Sequence, residues 1–263
     1  MFETLIVDAA GPIGSITLNR PNRLNALSRL TLVELTQAAK WFDDQAHVKV
    51  VIVKANGRAF SAGFDLNDFT TPDPDVSPRD AADLGRLMAE AVTNMRAMTI
   101  ARIHGHCVGG GLVLAGACDL RYATADATFS IPELALGIPL AWGGIPRLVR
   151  ELGPAVTKDI VMTCRPFTCH EALALRFING VGTPENIDHQ IANAANALGQ
   201  RSKLTLELTK RQINACAEEL VSVGRSVSDA DTLVAAQRDP ESRAASLAYL
   251  ASRNRQSGQR SGK

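Results

Sequence analysis

The sequence predicts an α/β fold, and three observations carry that prediction. Short runs rich in Val, Ile, Leu and Thr alternate with stretches whose apolar residues recur at helical spacing. The order strand, strand, helix recurs along the first half of the chain, as mixed α/β architectures require. Beyond Gly153-Pro154 the pattern turns helical almost to the end.

The elements follow in order. "TLIVDA" and "IGSITL" flank the turn signal Gly11-Pro12 and read as a hairpin. Leu32, Leu35, Ala39 and Phe42 then mark one face of a helix, with Ser28 placed to cap it. "VKVVIVKA" is nearly continuous in apolar residues, the pattern of a strand buried on both faces. The segment Thr71–Asp80 carries prolines at 72, 74 and 78 among its aspartates, and is expected to be a mobile surface loop. Helix returns from Ala81 to about Arg96, followed by strand "TIARIH", a glycine loop, helix "GLVLAGA" and strand "DLRYAT". Further helices are expected at Ala155–Cys164, His170–Leu175, Ile187–Leu198, Ser202–Leu220 and Pro240–Arg253. The polar end "NRQSGQRSGK" is expected to fray.

Composition sets the class of partner. A chain of 263 residues with 46% hydrophobic and 21% charged residues can bury a large core. The net charge of +1 offers no electrostatic footprint for nucleic acid or an anionic membrane surface. No apolar run approaches the roughly 18–20 residues of a spanning helix. The five cysteines form no CxxC pair, and the first residues lack a leader's basic and apolar regions, so a reducing cytoplasm is expected. Small molecules and other subunits are the expected partners.

The sharpest local feature is "GHCVGGGLVLAG", in which Gly109, Gly110 and Gly111 join a strand to an apolar helix. The first N–H groups of such a helix lack intrahelical acceptors, and without Cβ atoms a ligand oxygen can reach them. Glycines there also permit close strand-to-helix packing, and both readings stand on the sequence alone. The spacing is neither GxGxxG nor a P-loop. A second stretch, "GRAFSAGFDLNDF", offers another N–H at Phe64, beside Gly63. Two separated N–H groups converging on one oxygen form an oxyanion hole.

These stretches resemble the crotonase superfamily, the enoyl-CoA hydratase/isomerase family. "ITLNRPNRLNALS", "AFSAGFDLNDF", "HGHCVGGGLVLAGACDLR", "FSIPELALGIP", "GGIPRLV" and "SRAASLAYLASR" occur in that family's order and spacing. The resemblance implies a spiral of ββα units over residues 1–200 and a helical oligomerisation region with a frayed basic tail over 201–263. It implies trimers or dimers of trimers, an acyl-CoA thioester as substrate, and no separate cofactor or metal, CoA being part of the substrate. The oxyanion hole falls on the N–H groups of Phe64 and Gly110. Arg23, Leu24 and Ala62 fall where the family holds CoA, Asp65 and Leu66 fall among the substrate-binding positions, and Trp142 with Phe64 falls on the acyl pocket or packs in the core.

Of the two carboxylates that hydratases use, the first family position is Val113 here and the second is Glu133. Valine exchanges no proton, so a single acid/base is implied. Glu133 in an apolar pocket can carry one between carbons, as isomerisation of 3-enoyl to 2-enoyl thioesters requires, and hydration of 2-enoyl thioesters is the other expectation. Ala141 stands where dienoyl-CoA isomerases carry an extra aspartate, and so argues against that branch. A non-catalytic acyl-CoA binding protein is the alternative. His104 and His106 are expected to pack or hydrogen-bond, Cys107 and Cys118 to be small buried hydrophobes, and Asp119 and Arg121 to form an ion pair. Ser61 lies outside any GxSxG elbow and is not expected to be a nucleophile.

Overall fold

The computed structural model describes residues 2–71 and 74–260. It opens with the expected hairpin, β1 (Leu5–Asp8) antiparallel to β2 (Ile13–Leu18). From there the chain winds as a right-handed α/β spiral would, adding parallel strands. β3 (Val50–Ala55) pairs with β2, β4 (Met98–Ile103) with β3, β6 (Leu120–Thr124) with β4, and β9 (Gly180–Gly182) with β6. The six-stranded sheet therefore runs β1-β2-β3-β4-β6-β9. A smaller sheet of β5 (His106–Val108), β7 (Thr128–Ser130) and β8 (Phe167–Thr168) stands apart. Ser61 extends it through a parallel bridge to Cys107.

Helices connect the strands. α1 (Arg29–Asp43) starts at Ser28, whose hydroxyl accepts from the Thr31 N–H, and buries Leu32, Leu35, Ala39 and Phe42. α2 (Leu66–Thr70) is short and α3 (Pro78–Asn94) follows. The loop read over Thr71–Asp80 thus ends earlier, at Ser77, which caps α3 with Pro78 as its first residue. Positions 72 and 73 lie outside the described residues. α4 (Gly110–Ala117) is apolar on every side and is buried through the middle of the molecule.

The second half departs further from expectation. α5 (Gly144–Met162) begins well before Gly153-Pro154 and is broken there, where Gly153 takes φ +77° and Pro154 has no N–H to donate. β8 and β9 interrupt the region read as wholly helical. α6 (Cys169–Ala174), α7 (Pro184–Gly199) and α8 (Lys203–Leu220) stand where helices were expected. α9 (Asp229–Arg238) was not foreseen, and α10 (Pro240–Arg260) continues into the polar stretch read as frayed.

Side chains of both sheets and of α1, α3 and α4 share one core, with Phe42, Phe60, Phe129 and Phe177 among its largest members. A second cluster joins Ile187 and Ile191 of α7 to Val50 and Ile100. The Asp119–Arg121 pair is not formed. Asp119 instead meets Lys210 of α8 at 2.7 Å, while Arg121 meets Glu151 at 3.0 Å and stacks on Phe177. These partners tie the C-terminal helices and α5 to the sheet. No helix among the described residues is long and apolar enough to cross a membrane.

Candidate active site

Two adjacent segments build the site. Ser61 and Cys107 bridge in parallel, and the Ser61 and Val108 N–H groups donate to the His106 and Ser61 carbonyls at 3.0 Å each. Phe64 and Gly110 each stand three residues beyond that bridge, so the register brings them alongside one another. Gly63, at φ +90°, makes the approach possible: a Cβ there would lie 3.0 Å from the Val108 carbonyl oxygen and 3.7 Å from the Gly110 nitrogen. Phe64 also bridges Leu27, but the bonds of that bridge run from the Leu27 and Asp65 N–H groups. The Phe64 N–H takes no part in it. Gly110 is the first residue of α4, so its N–H has no intrahelical acceptor.

Each glycine of the triplet has its own neighbour. Gly109, at φ +49°, lies under the Glu133 carboxylate, and an added Cβ would overlap Oε1. Gly110 faces the Trp142 indole, and Gly111 packs on Ser61. The packing reading therefore holds for Gly111, while Gly110 lines the cavity and Gly109 makes room for Glu133. Ser61 donates its hydroxyl to the Asn25 carbonyl at 2.9 Å and accepts from the Gly63 N–H. It organises the loop.

Glu133 carries the electrostatic signature of the site. The residue is half-buried, yet its Oε2 is enclosed without a hydrogen-bond partner among the described residues. Burial penalises the charged form and pushes the carboxyl up from 4.5 to about 7. At neutral pH the group exists in both forms, which suits it to give and take a proton.

Phe64, Gly110, Val113, Glu133, Ala141 and Trp142 line one cavity of about 360 Å³. Trp142 forms a wall of it, edge-on to Phe64 with ring centroids 5.7 Å apart. Its backbone is in the left-handed region at φ +62°, unusual for a bulky residue. The indole is seated between Gly110 and Gly85 of α3, either of which would overlap it if a Cβ were added. Arg147, buried in α5, donates to the carbonyls of Trp142 and Gly143, and Asp229 of α9 accepts from the Gly143 N–H at 2.8 Å. Leu233 and Gln237 of α9 close the same cavity.

The remaining predicted residues do not line the cavity. Arg23 is exposed at the end of the short 3₁₀ turn Pro21–Arg23, and Leu24 accepts from the Ala62 N–H at 2.9 Å. Asp65 is buried, pairs with Arg20 at 2.8 Å and caps α2, whose first residue is Leu66. His104 and His106 hydrogen-bond to the Gly57 carbonyl and the Thr128 hydroxyl. Cys107 and Cys118 are buried, and burial raises both thiols. Sequence reasoning missed Arg29, Asp68, Gly85 and α9. Of these, only Arg29 carried a local signal, a cation at the first position of a helix, where the macrodipole disfavours it.

A family model described as enoyl-CoA hydratase/isomerase matches residues 8–260. A Rhizobium meliloti (strain 1021) protein named probable enoyl-CoA hydratase is 34% identical over 85% of this chain and 86% of its own. An Arabidopsis thaliana protein named peroxisomal delta(3,5)-delta(2,4)-dienoyl-CoA isomerase is 33% identical over 80% of each chain. The solved structure of an enoyl-CoA hydratase from Bacillus halodurans, at 22% identity, superposes on 94% of this chain and all of its own with a TM-score of 0.86, a likeness of fold.

Proposed function

The chain belongs to the enoyl-CoA hydratase/isomerase family, and from that premise we propose that it moves a proton at the carbons next to an acyl-CoA thioester, with Glu133 as its single acid/base. The observation that carries the reading is the Glu133 carboxyl, whose Oε2 is enclosed with no partner among the described residues, on the cavity that Phe64 and Gly110 also line. The thioester oxygen accepts from the Phe64 and Gly110 N–H groups, so charge that develops there as an enolate is stabilised by donors already in place. Glu133 removes the C2 proton of a 3-enoyl thioester and returns it at C4, giving the 2-enoyl product. Val113 leaves no second carboxyl at the family's other position, and this transfer needs none.

Hydration of 2-enoyl thioesters is the second reading, favoured by the name of the Rhizobium meliloti relative. Arg23, Leu24, Ala62, Asp65 and Leu66 are assigned to the CoA side, outside the acyl cavity. Trimeric assembly is supported by the exposed apolar residues Leu204, Ile213 and Leu220 along α8. A cytoplasmic setting is supported by the free state of all five cysteines.

The test offers matched 2-enoyl and 3-enoyl thioesters to the purified protein, following conjugated-thioester absorbance and product mass. Isomerisation leaves the mass unchanged and hydration adds water. Glu133→Gln is expected to abolish turnover and keep ester binding. Binding without turnover of either substrate by the wild-type protein refutes the catalytic reading.

A further inference from the structure

One charged group on the cavity wall has no part in that chemistry. Arg29 is the first residue of α1, and Leu27, just before it, bridges Phe64 directly. It is the one Lys or Arg among the described residues that line the cavity. Its Nη2 donates to the main-chain carbonyls of Asp68 and Thr71, the latter at 3.0 Å. Its Nε is enclosed with no acceptor, and its Nη1 makes no hydrogen bond among the described residues.

No carboxylate forms an ion pair with this guanidinium among the described residues. Arg20, Arg86, Arg121 and Arg150, all largely covered, each meet one, whereas the buried Arg147, which lies outside this cavity, has none and donates to the Trp142 and Gly143 carbonyls and the Thr93 hydroxyl. The acidic residue beside Arg29, Asp68, spends its Oδ2 on the Arg29 main-chain N–H at 2.7 Å. Phe69, Val76 and Leu233 supply apolar surface to the same cavity. Nε and Nη1 thus keep N–H groups that no acceptor takes among the described residues, and although the Asp68 carboxylate lines the same cavity, an anionic oxygen entering beside those N–H groups gains a charge-assisted hydrogen bond.

We propose that Arg29 binds a carboxylate at the far end of the acyl chain, so that the preferred substrates are CoA thioesters of short unsaturated dicarboxylic acids. The inference rests on the proposed function, which sets the thioester oxygen at Phe64 and Gly110. Leu27 bridges Phe64, its Cα lies at most about 7 Å from that of Arg29, and Phe64, Gly110 and Arg29 all line the one cavity of about 360 Å³. A cavity of that volume holds a short acyl chain rather than a long one.

The test compares two thioesters that differ at one end, the free carboxylate and its methyl half-ester, by kcat/KM and by calorimetric Kd. Wild type is expected to favour the carboxylate by about tenfold or more in both measures, the scale of one charge-assisted contact. Arg29→Met is expected to bring the ratio near one, and Arg29→Lys to retain part of it. A wild-type ratio near one overturns the proposal, and this comparison needs no variant to fold. A ratio that Arg29→Met leaves intact overturns it too. Pantetheine thioesters, which lack the nucleotide phosphates, identify the anion: the preference persists without them when Arg29 reads the acyl carboxylate. An effect of Arg29→Met confined to full CoA esters, whatever their acyl end, assigns the contact to phosphate and refutes the proposal. If no thioester is turned over, the proposed function fails, and the Kd ratio alone still decides the role of Arg29.

Discussion

The raised Glu133 carboxyl makes a prediction about stability that is independent of any substrate. Folding transfers the carboxyl from water, where it titrates near 4.5, to an enclosed site where it titrates at about 7. Between those values the folded state binds more protons than the unfolded state, so stability falls as pH rises through this window and is lowest above it. At roughly 1.4 kcal/mol per tenfold, the full difference is worth about 3 kcal/mol, an upper figure because the residue is only half-buried. Glu133→Gln keeps the shape and removes the charge. Below about pH 4.5, where glutamate is neutral in both states, wild type and variant should unfold alike. At pH 8.5 the variant should be the more stable by about 2–3 kcal/mol, a rise of several degrees in Tm for a chain of this size. Urea or thermal unfolding at matched protein concentration measures both. A pH-independent gap, or a variant less stable at pH 8.5, refutes an enclosed, unpartnered carboxylate. The same ionisation should appear near pH 7 in the kcat/KM profile of the wild-type enzyme.

Gly109→Ala places a Cβ against Glu133 Oε1 on a backbone at φ +49°, and should cost about 1–3 kcal/mol and lower turnover by at least about tenfold, read by unfolding and steady-state kinetics. Gly85→Ala, from outside the reacting centre, should displace the Trp142 indole; in a Trp41→Phe background, where Trp142 is the sole emitter, its fluorescence should shift to the red and acyl-ester affinity should fall. Lys210→Met removes the partner of a largely buried Asp119 and should cost about 3–5 kcal/mol in denaturant unfolding, whereas a surface pair would cost less than about 1 kcal/mol.

How much of this was legible in the sequence depended on whether the signal was local. β1, β2 and β3 are four to six residues long, and their Val, Ile and Leu content announces them. β8 has two residues and β9 three, too few to show a period, and β8 exists because Phe129 and Phe167 pair across the small sheet and stack at 5.2 Å. α9 shows no strong apolar face of its own and is held through Asp229 and Leu233 against the cavity loop and α3. Asp119 and Arg121 lie two apart in "CDLR", which made a mutual pair attractive, but Asp119 precedes β6, Lys210 comes from a distant helix to its oxygen, and Glu151 and Phe177 take the guanidinium. No spacing rule contains such partners.

The site divides along the same line. Phe64, Gly110 and Glu133, which line one cavity, were singled out from three motifs, each local. The Ser61–Cys107 bridge that sets the first two side by side was not, since it joins segments far apart in sequence through backbone alone. Trp142 shows the limit most sharply. Its own propensity argues against φ +62°, and the conformation persists because Gly85 and Gly110 leave room for the indole while Arg147 and Asp229 hold the flanking peptides. Local preference yields there to a tertiary demand, and the place lines the cavity. Strain that the surroundings must over-determine collects where the backbone is required to present groups to a ligand. Arg29 extends the argument from backbone to charge. A cation at a helix start is unfavourable in local terms, no carboxylate among the described residues forms an ion pair with it, and an anion arriving from solution is the partner proposed for it.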